Sequence, residues 1–327
     1  ADLPGFEGPL KAEKFDVGQS NPTFRLTTPG KTYVLRRKPP GVLLKSAHAV
    51  DREFRVQKAL QTSEVPVAQM LLMCDDDSVI GSMFYVMDHV AGRHFELPNL
   101  PELDPDGRSA VYNEMNRVLA ALHSVDFEAV GLGDFGAPGA YVARQIGRWT
   151  KQYRASETEA VADMDSLIDW LNANLDKDDG QRTLVHGDFR IDNLIFHADR
   201  PEIAAVLDWE LSTLGHPIAD LAYQIMQWRM PVGPEGRGLA GLDRKALGIP
   251  TEEEYVASYC ERRGLAGIPD FGFFLGFCFF RMAAILQGVK KRALDGNASN
   301  PEQGLKLGAL VPLFASGGLA AISEARP

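Results

Sequence analysis

Three oxygen-bearing side chains have a spacing that could do chemistry: Asp188, Asn193 five positions later, and Asp208. A short apolar run, Thr183 to Val185, leads through His186-Gly187 into Asp188. A second apolar run follows Asn193, turns between His197 and Pro201, and returns as Ile203 to Leu207, ending at Asp208. Apolar run, polar loop and apolar hairpin together predict strand, loop and hairpin. One carboxylate in a loop, followed by an amide and a second carboxylate, suits phosphoryl transfer, which depends on positioning and charge neutralisation. Asp188 would face an acceptor hydroxyl. Asn193 and Asp208 would offer oxygen to Mg²⁺, a hard cation that prefers oxygen ligands. The competing structural reading is a hairpin whose turn residues happen to be Asp and Asn.

The protein-kinase catalytic loop has the same D-x-x-x-x-N spacing, with a metal-binding Asp on the next strand. His186-Gly187-Asp188 with Asn193, then Leu207-Asp208-Trp209-Glu210, then Gly215-His216-Pro217 with Asp220-Leu221-Ala222, resembles the aminoglycoside phosphotransferase and choline kinase-like superfamily. The nearest branch is similar to the phosphotransferase domain that occurs beside acyl-CoA dehydrogenases. The resemblance runs over nearly the whole chain. Its central motif is specific for the reaction type and poor for the substrate. It implies a bilobal, protein-kinase-like α+β fold, with a small antiparallel-sheet lobe over 1–92, a hinge near 87–92 and a mostly helical lobe over 93–327. It also implies ATP- and Mg²⁺-dependent phosphorylation of a small-molecule hydroxyl.

Several elements must then position the chemistry. Gly18-Gln19-Ser20-Asn21-Pro22-Thr23 is a turn cluster ahead of two strand-like runs, Phe24 to Thr27 and Thr32 to Arg37. Backbone N–H groups in such a turn can point at phosphates, so Ser20 and Asn21 are candidate nucleotide contacts. The resemblance places a phosphate-binding cation at Arg36, where a Lys is usual. An Arg offers a planar fork in place of a point charge. Period-two alternation turns Arg37 to the other face. Ala47 to Leu60 predicts a helix, and Glu53 within it is the expected partner of Arg36. Tyr85 to Gly92 reads as the hinge, and the resemblance implies that backbone groups of Asp88 (C=O) and Val90 (N–H) meet the adenine edge. Residues 1–14 show no period and read as a surface arm.

In the second lobe, Ser109 to His123 is an amphipathic helix with Val111, Met115, Val118, Leu119 and Leu122 on one face. His123 reads as a capping or packing residue. Tyr141 to Arg154 has an apolar stripe and a basic stripe (Arg144, Arg148, Lys151, Arg154) with no acidic residue. That stripe is either a solvated helix face or a dock for an anionic substrate tail such as coenzyme A phosphates. Asp220 is expected to brace the catalytic loop or cap a helix. Thr251 with Glu254 forms a capping box for a helix ending at Gly264. Arg281 interrupts the apolar run Phe271 to Leu286 and needs a partner, expected to be a carboxylate of the catalytic lobe. Arg190, Arg144, Arg148 and Arg281 are the candidate acceptor contacts. Pro301 to Ile322 reads as a final helix.

Composition sets outer limits. The chain has 327 residues, 45% of them hydrophobic and 24% charged, and a net charge of −10. That balance fits a globular protein and argues against a nucleic-acid partner. Cys74, Cys260 and Cys278 lie far apart without metal-ligand spacing and read as reduced thiols of a cytoplasmic protein. No membrane span is expected, because the most apolar run is shorter than the roughly 20 residues required and contains Arg281. Two other functions fit parts of the pattern. A nucleotide-binding pseudokinase would account for Arg36. A protein kinase would need a D-F-G followed by a long activation segment ending in A-P-E; here Asp208-Trp209-Glu210 runs almost directly into a helix instead, and no A-P-E occurs.

Overall fold

The computed structural model describes residues 3, 6–15, 21–39, 49–233, 237–298 and 300–324. The chain forms two compact units. The first comprises Ala1–Glu96, Val125–Asp134 and Arg190–Ser212, and the second Leu97–Ser124, Phe135–Phe189 and Thr213–Pro327.

The first unit is built on a five-stranded antiparallel sheet in the order Lys11–Lys14, Thr23–Thr27, Thr32–Arg37, Phe84–Asp88, Met70–Cys74. Alternation sorts its two faces. Leu26, Tyr33, Phe84 and Val86 pack on one side. Tyr85, Met70 and Ala68 pack on the other with Val50, the first residue of the helix Val50–Leu60. Arg36 is paired across the strands with Tyr85. Residues directly opposite share a face, so register alone delivers Arg36 to the helix side.

The strand Lys11–Lys14 corrects the expected surface arm. Its partner residues run from Lys11↔Thr27 to Lys14↔Phe24. All four of its residues are exposed. A charged edge strand has no buried face to impose alternation, and such charge protects a sheet edge.

A three-stranded sheet in the same unit carries Arg93–His94, Leu194–Phe196 and Ile203–Val206. This is the expected hairpin. Gly92 leads into it, and a Cβ there would stand 2.1 Å from the Phe196 carbonyl oxygen, so only glycine fits.

The second unit is mostly helical, with one two-stranded ladder, Thr183–Val185 against Thr213–Gly215. The helix Pro105–His123 starts earlier than its apolar stripe suggests. Asp104 caps it by accepting the Gly107 N–H (2.8 Å), and Pro105 fits the first turn. The capping box of Thr251 and Glu254 starts Glu252–Arg263, and Gly264 ends it in the left-handed region (φ 66°). The helix Phe271–Leu294 runs eight residues past the apolar run. Its length and composition would suffice to cross a membrane, yet most of its apolar stretch is buried by packing within the protein. The final segment forms two helices, Pro301–Gly308 and Val311–Glu324, where one was expected.

Candidate active site

Asp188 is held from behind by a buried carboxylate. Asp220 lies in the first turn of the helix Pro217–Trp228 and is 3% exposed. Its two oxygens accept the backbone N–H groups of His186 (2.7 Å) and Gly187 (2.8 Å). Gly187 has φ 84°, a left-handed conformation that a side chain would strain. The Asp188 N–H then points at Nδ1 of His186 (3.2 Å). Asp220 is therefore a brace for the loop, as one of the two readings expected. The cap of the helix is His216, whose Nδ1 accepts the Ile218 N–H. Burial pushes the Asp220 carboxyl upward, but the bonds and charge of His123 and His186 outweigh it, leaving it below the usual carboxylate range. His123 is buried. It meets Asp220 at 3.4 Å and the Tyr259 hydroxyl at 2.7 Å, and its burial holds it below the usual imidazole value. It is a packing residue.

The Asp188 carboxylate accepts a hydrogen bond from Tyr223, with its hydroxyl 2.6 Å from Oδ1. Tyr223 follows Asp220 by three positions, so one helix face braces the loop backbone and touches the carboxylate. Arg281 stands behind Tyr223. Its guanidinium lies over the Tyr223 ring (5.9 Å to the centroid), and Nη2 reaches the Gly187 carbonyl oxygen at 3.5 Å. Among the described residues no carboxylate forms a direct ion pair with Arg281; Asp220 acts on its charge without contacting it.

In the first unit, Arg36 ties together the groups expected around a nucleotide. Its Nε lies 2.9 Å from Glu53 Oε2, and its Nη2 lies 3.0 Å from Asp208 Oδ1 and 3.7 Å from Glu210 Oε2. Burial alone would lower its pKa, yet the carboxylates of Glu53, Asp208 and Glu210, together with Tyr85, leave it raised. Glu53 is 1% exposed. Besides Arg36, it accepts from Asn21 Nδ2 (2.7 Å) and the Tyr85 hydroxyl (3.0 Å). Burial pushes its carboxyl up to about 7, against the pull of Arg36 and Tyr85. Asn21 is thus committed to Glu53, while Ser20 lies outside the described residues.

Asp208 ends the hairpin in the left-handed region, at φ 61°, ψ 58°. The next residue anchors the turn: Trp209 is buried and its Nε1–H donates to the Val206 carbonyl (2.9 Å). Asn193 is buried, and its carbonyl oxygen accepts the N–H of Leu207, the neighbour of Asp208 (2.8 Å). Backbone pairing therefore brings the amide residue beside the carboxylate residue. That all-oxygen donor set fits a hard divalent cation.

The remaining candidates fall elsewhere. Asp88 forms an ion pair with Lys31 (2.7 Å) and donates its N–H to the Gln69 carbonyl, while Val90 packs beside Tyr85 and Met70. Arg190 pairs with Asp192 (3.0 Å). The basic stripe of the helix Tyr141–Ser156 is largely committed locally. Arg144 donates to the carbonyls of Ala137, Pro138 and Gly139, tying down the preceding loop. Arg154 pairs with Glu157 and Asp165. Arg148 is exposed and lies over the neighbouring Trp149 ring.

Among the described residues, Asp178, Asp179 and His216 are close enough to share a metal ion. Internal bonds explain them equally well. His216 Nε2 meets Asp179 at 2.9 Å while Nδ1 caps the helix, and Asp178 takes the Val142 and Gly180 N–H groups. None of the three belongs to the expected metal pair.

Tyr85 and Tyr223 are the site residues that sequence reasoning missed. Register opposite Arg36 marks the first. Helical spacing from Asp220 marks the second.

Residues 11–254 match the model of the phosphotransferase enzyme family, and the chain belongs to that family. Among curated relatives, it is 50% identical over 294 residues to acyl-CoA dehydrogenase family member 10 of Mus musculus, which covers 90% of this chain. It is 43% identical over 325 residues to acyl-CoA dehydrogenase family member 11 of Rattus norvegicus, covering 96% of this chain. The chain spans only 27% and 41% of those two relatives. A crystal structure from Ralstonia eutropha JMP134, provisionally described as an aminoglycoside phosphotransferase, matches with 50% identity and a TM-score of 0.92, over 100% of this chain and 96% of that one. The ternary complex of aminoglycoside phosphotransferase APH(4)-Ia with AMP-PNP and hygromycin B is 18% identical, with a TM-score of 0.64 over 95% and 93% of the two chains. At that identity it speaks for the fold alone, which is kinase-like.

Proposed function

We propose that this chain is an ATP-dependent kinase that phosphorylates a hydroxyl group of a small molecule. The observation that carries the reading is Arg36, a strand cation joined to Glu53 of the neighbouring helix and to Asp208 at the hairpin end. Membership of the phosphotransferase family supports the reaction class. In this reading Arg36, steadied by Glu53, contacts nucleotide phosphates, with backbone near Asn21, Asp88 and Val90 contributing to nucleotide binding. Asn193 and Asp208 would hold Mg²⁺, which supplies charge neutralisation at phosphate oxygens when bound. Asp188 accepts the proton of the acceptor hydroxyl as its oxygen bonds to the γ-phosphorus and the bond from that phosphorus to ADP breaks. An ionised carboxylate suffices if the transition state is loose, because the proton can leave late.

The relatives that carry this domain beside an acyl-CoA dehydrogenase favour a hydroxyacyl-CoA or another anionic alcohol as acceptor. The protein is proposed to act in the cytoplasm. The test is Mg²⁺-dependent ATP consumption against hydroxyacyl-CoAs, sugars, amino alcohols and aminoglycosides, run beside Asp188→Ala. Transfer to one acceptor, lost in the variant while ATP still binds, is the expected result. Unchanged turnover in Asp188→Ala sinks the assignment of the base.

A further inference from the structure

Arg281 is a cation near Asp188 that no carboxylate among the described residues meets in a direct ion pair. It sits in the helix Phe271–Leu294 between buried Phe280 and buried Ala283. Its reach is fixed on two sides, by the Gly187 carbonyl at 3.5 Å and by the Tyr223 ring. Gly187 precedes Asp188 in the chain, and Tyr223 touches the Asp188 carboxylate, so both groups the guanidinium contacts adjoin the proposed base. Its charge is also felt by the Asp220 carboxylate, which is not in ion-pair contact with it, and its surroundings include Tyr141 and Cys278. Tyr141 and Cys278 are not anions in the ordinary pH range, because burial raises both.

The contrast with other half-buried arginines is informative. Arg36 meets Glu53, Asp208 and Glu210, and Arg229 meets Glu252 and Glu324. In a chain of net charge −10, carboxylates are plentiful. Yet among the described residues none lies within ion-pair distance of Arg281. A guanidinium has five N–H donors, and one long hydrogen bond to a carbonyl satisfies little of that capacity. Removing such a cation from water without a contacting anion is costly.

We propose that Arg281 is the receptor for an oxyanion that arrives with the reactants. Resting on the kinase reading, this identifies the ligand chemistry as a carboxylate or phosphate oxygen set within reach of Asp188. The planar fork of Arg matches both in two-bond geometry. Two sources share that chemistry: an anionic group on the acceptor alcohol, and the phosphoryl group during transfer.

The experiment compares wild type, Arg281→Gln and Arg281→Lys in two assays. The first needs no turnover: inorganic phosphate and 3-hydroxybutyrate are titrated against each protein by thermal shift. The Gln variant is expected to lose tenfold or more of the affinity for at least one of them. The second measures kcat and KM with anionic, neutral and cationic alcohols, and ATP hydrolysis without an acceptor. A loss of about 10- to 100-fold in kcat/KM, the size of one charge-assisted contact, confined to anionic alcohols assigns the anion to the acceptor. An equal loss in kcat for every alcohol, with ATP hydrolysis falling alongside, assigns it to the phosphoryl group. If no alcohol is turned over, the kinase reading fails while the titration still decides the role of Arg281. If the Gln variant does not fold, the Lys variant decides, since it keeps the charge and loses the fork. Its anion affinity is expected to fall about tenfold. A folded variant with wild-type anion affinity and wild-type rates overturns the proposal and leaves Arg281 as a brace for Gly187.

Discussion

Asp220→Asn tests whether the loop carrying Asp188 is held by the buried carboxylate beneath it. Each Asp220 oxygen accepts one backbone N–H, from His186 at 2.7 Å and from Gly187 at 2.8 Å. Asparagine keeps one acceptor oxygen and turns an NH₂ group toward the other N–H. One buried donor is then orphaned against a second donor, and the surviving bond loses its charge assistance. An orphaned buried donor costs about 1–3 kcal/mol, and charge-assisted bonds add to that. A total of about 2–4 kcal/mol follows, which lowers Tm by about 3–6 °C for a chain of 327 residues. The relaxed loop also displaces Asp188, and a shift of about 1 Å in a catalytic group costs on the order of 100-fold in rate. The assay pairs thermal melting with kcat and the KM for ATP. The expected result is a lower Tm and kcat with KM for ATP unchanged, because Asp220 contacts no proposed nucleotide group. A variant that melts within about 1 °C of wild type and retains kcat within twofold refutes the brace.

Other outcomes follow from neighbouring contacts. Tyr223→Phe removes the donor to Asp188 Oδ1 and should lower kcat about 10-fold or more while leaving KM for ATP alone; a change in ATP affinity instead would detach Tyr223 from the base. Arg36→Lys leaves one nitrogen to serve both Glu53 and Asp208 and should raise KM for ATP several-fold, measured by initial rates; Arg36→Ala with unchanged KM and kcat would remove Arg36 from nucleotide binding. Glu53 gives a pH signature. Its folded pKa, about 7, lies above the unfolded value of 4.5, so its contribution is fully present below about pH 4.5 and is lost as pH rises through 7. That loss is on the order of 3 kcal/mol. Urea melts of Glu53→Gln between pH 4.5 and 8 should therefore show a flatter stability profile than wild type, and parallel profiles would reject the assigned titration.

The candidate catalytic stretch was legible in the sequence because its signals are local. Asp188, Asn193 and Asp208 fall where short apolar runs meet polar turns, and the hairpin over Leu194–Phe196 and Ile203–Val206 formed as that pattern requires. Arg36 and Glu53 were legible through resemblance, and the ion pair between them is present. What escaped was long-range or unpatterned. Lys11–Lys14 is an exposed edge whose pairing leaves no apolar trace. The Tyr223 and Asp188 contact joins positions 35 apart that no periodicity connects. Arg144 read as part of a docking stripe because composition records charge and not the three carbonyls it serves. Arg281 was expected to find a carboxylate, a partner that a sequence pattern cannot locate.

The backbone of Asp208 has a consequence for how such a chain changes over time. The left-handed conformation at φ 61° costs most side chains roughly 1–2 kcal/mol, and aspartate, whose short polar side chain can bond locally, somewhat less, though still more than glycine. Glycine adopts that conformation freely, and asparagine tolerates it well. Replacement of Asp208 by glycine would relieve the strain and erase the carboxylate in one step. Selection for fold stability and selection for a carboxylate oppose each other at this position. In a lineage that no longer needed the carboxylate, drift would start here, and an aspartate that persists through many generations marks a use still enforced.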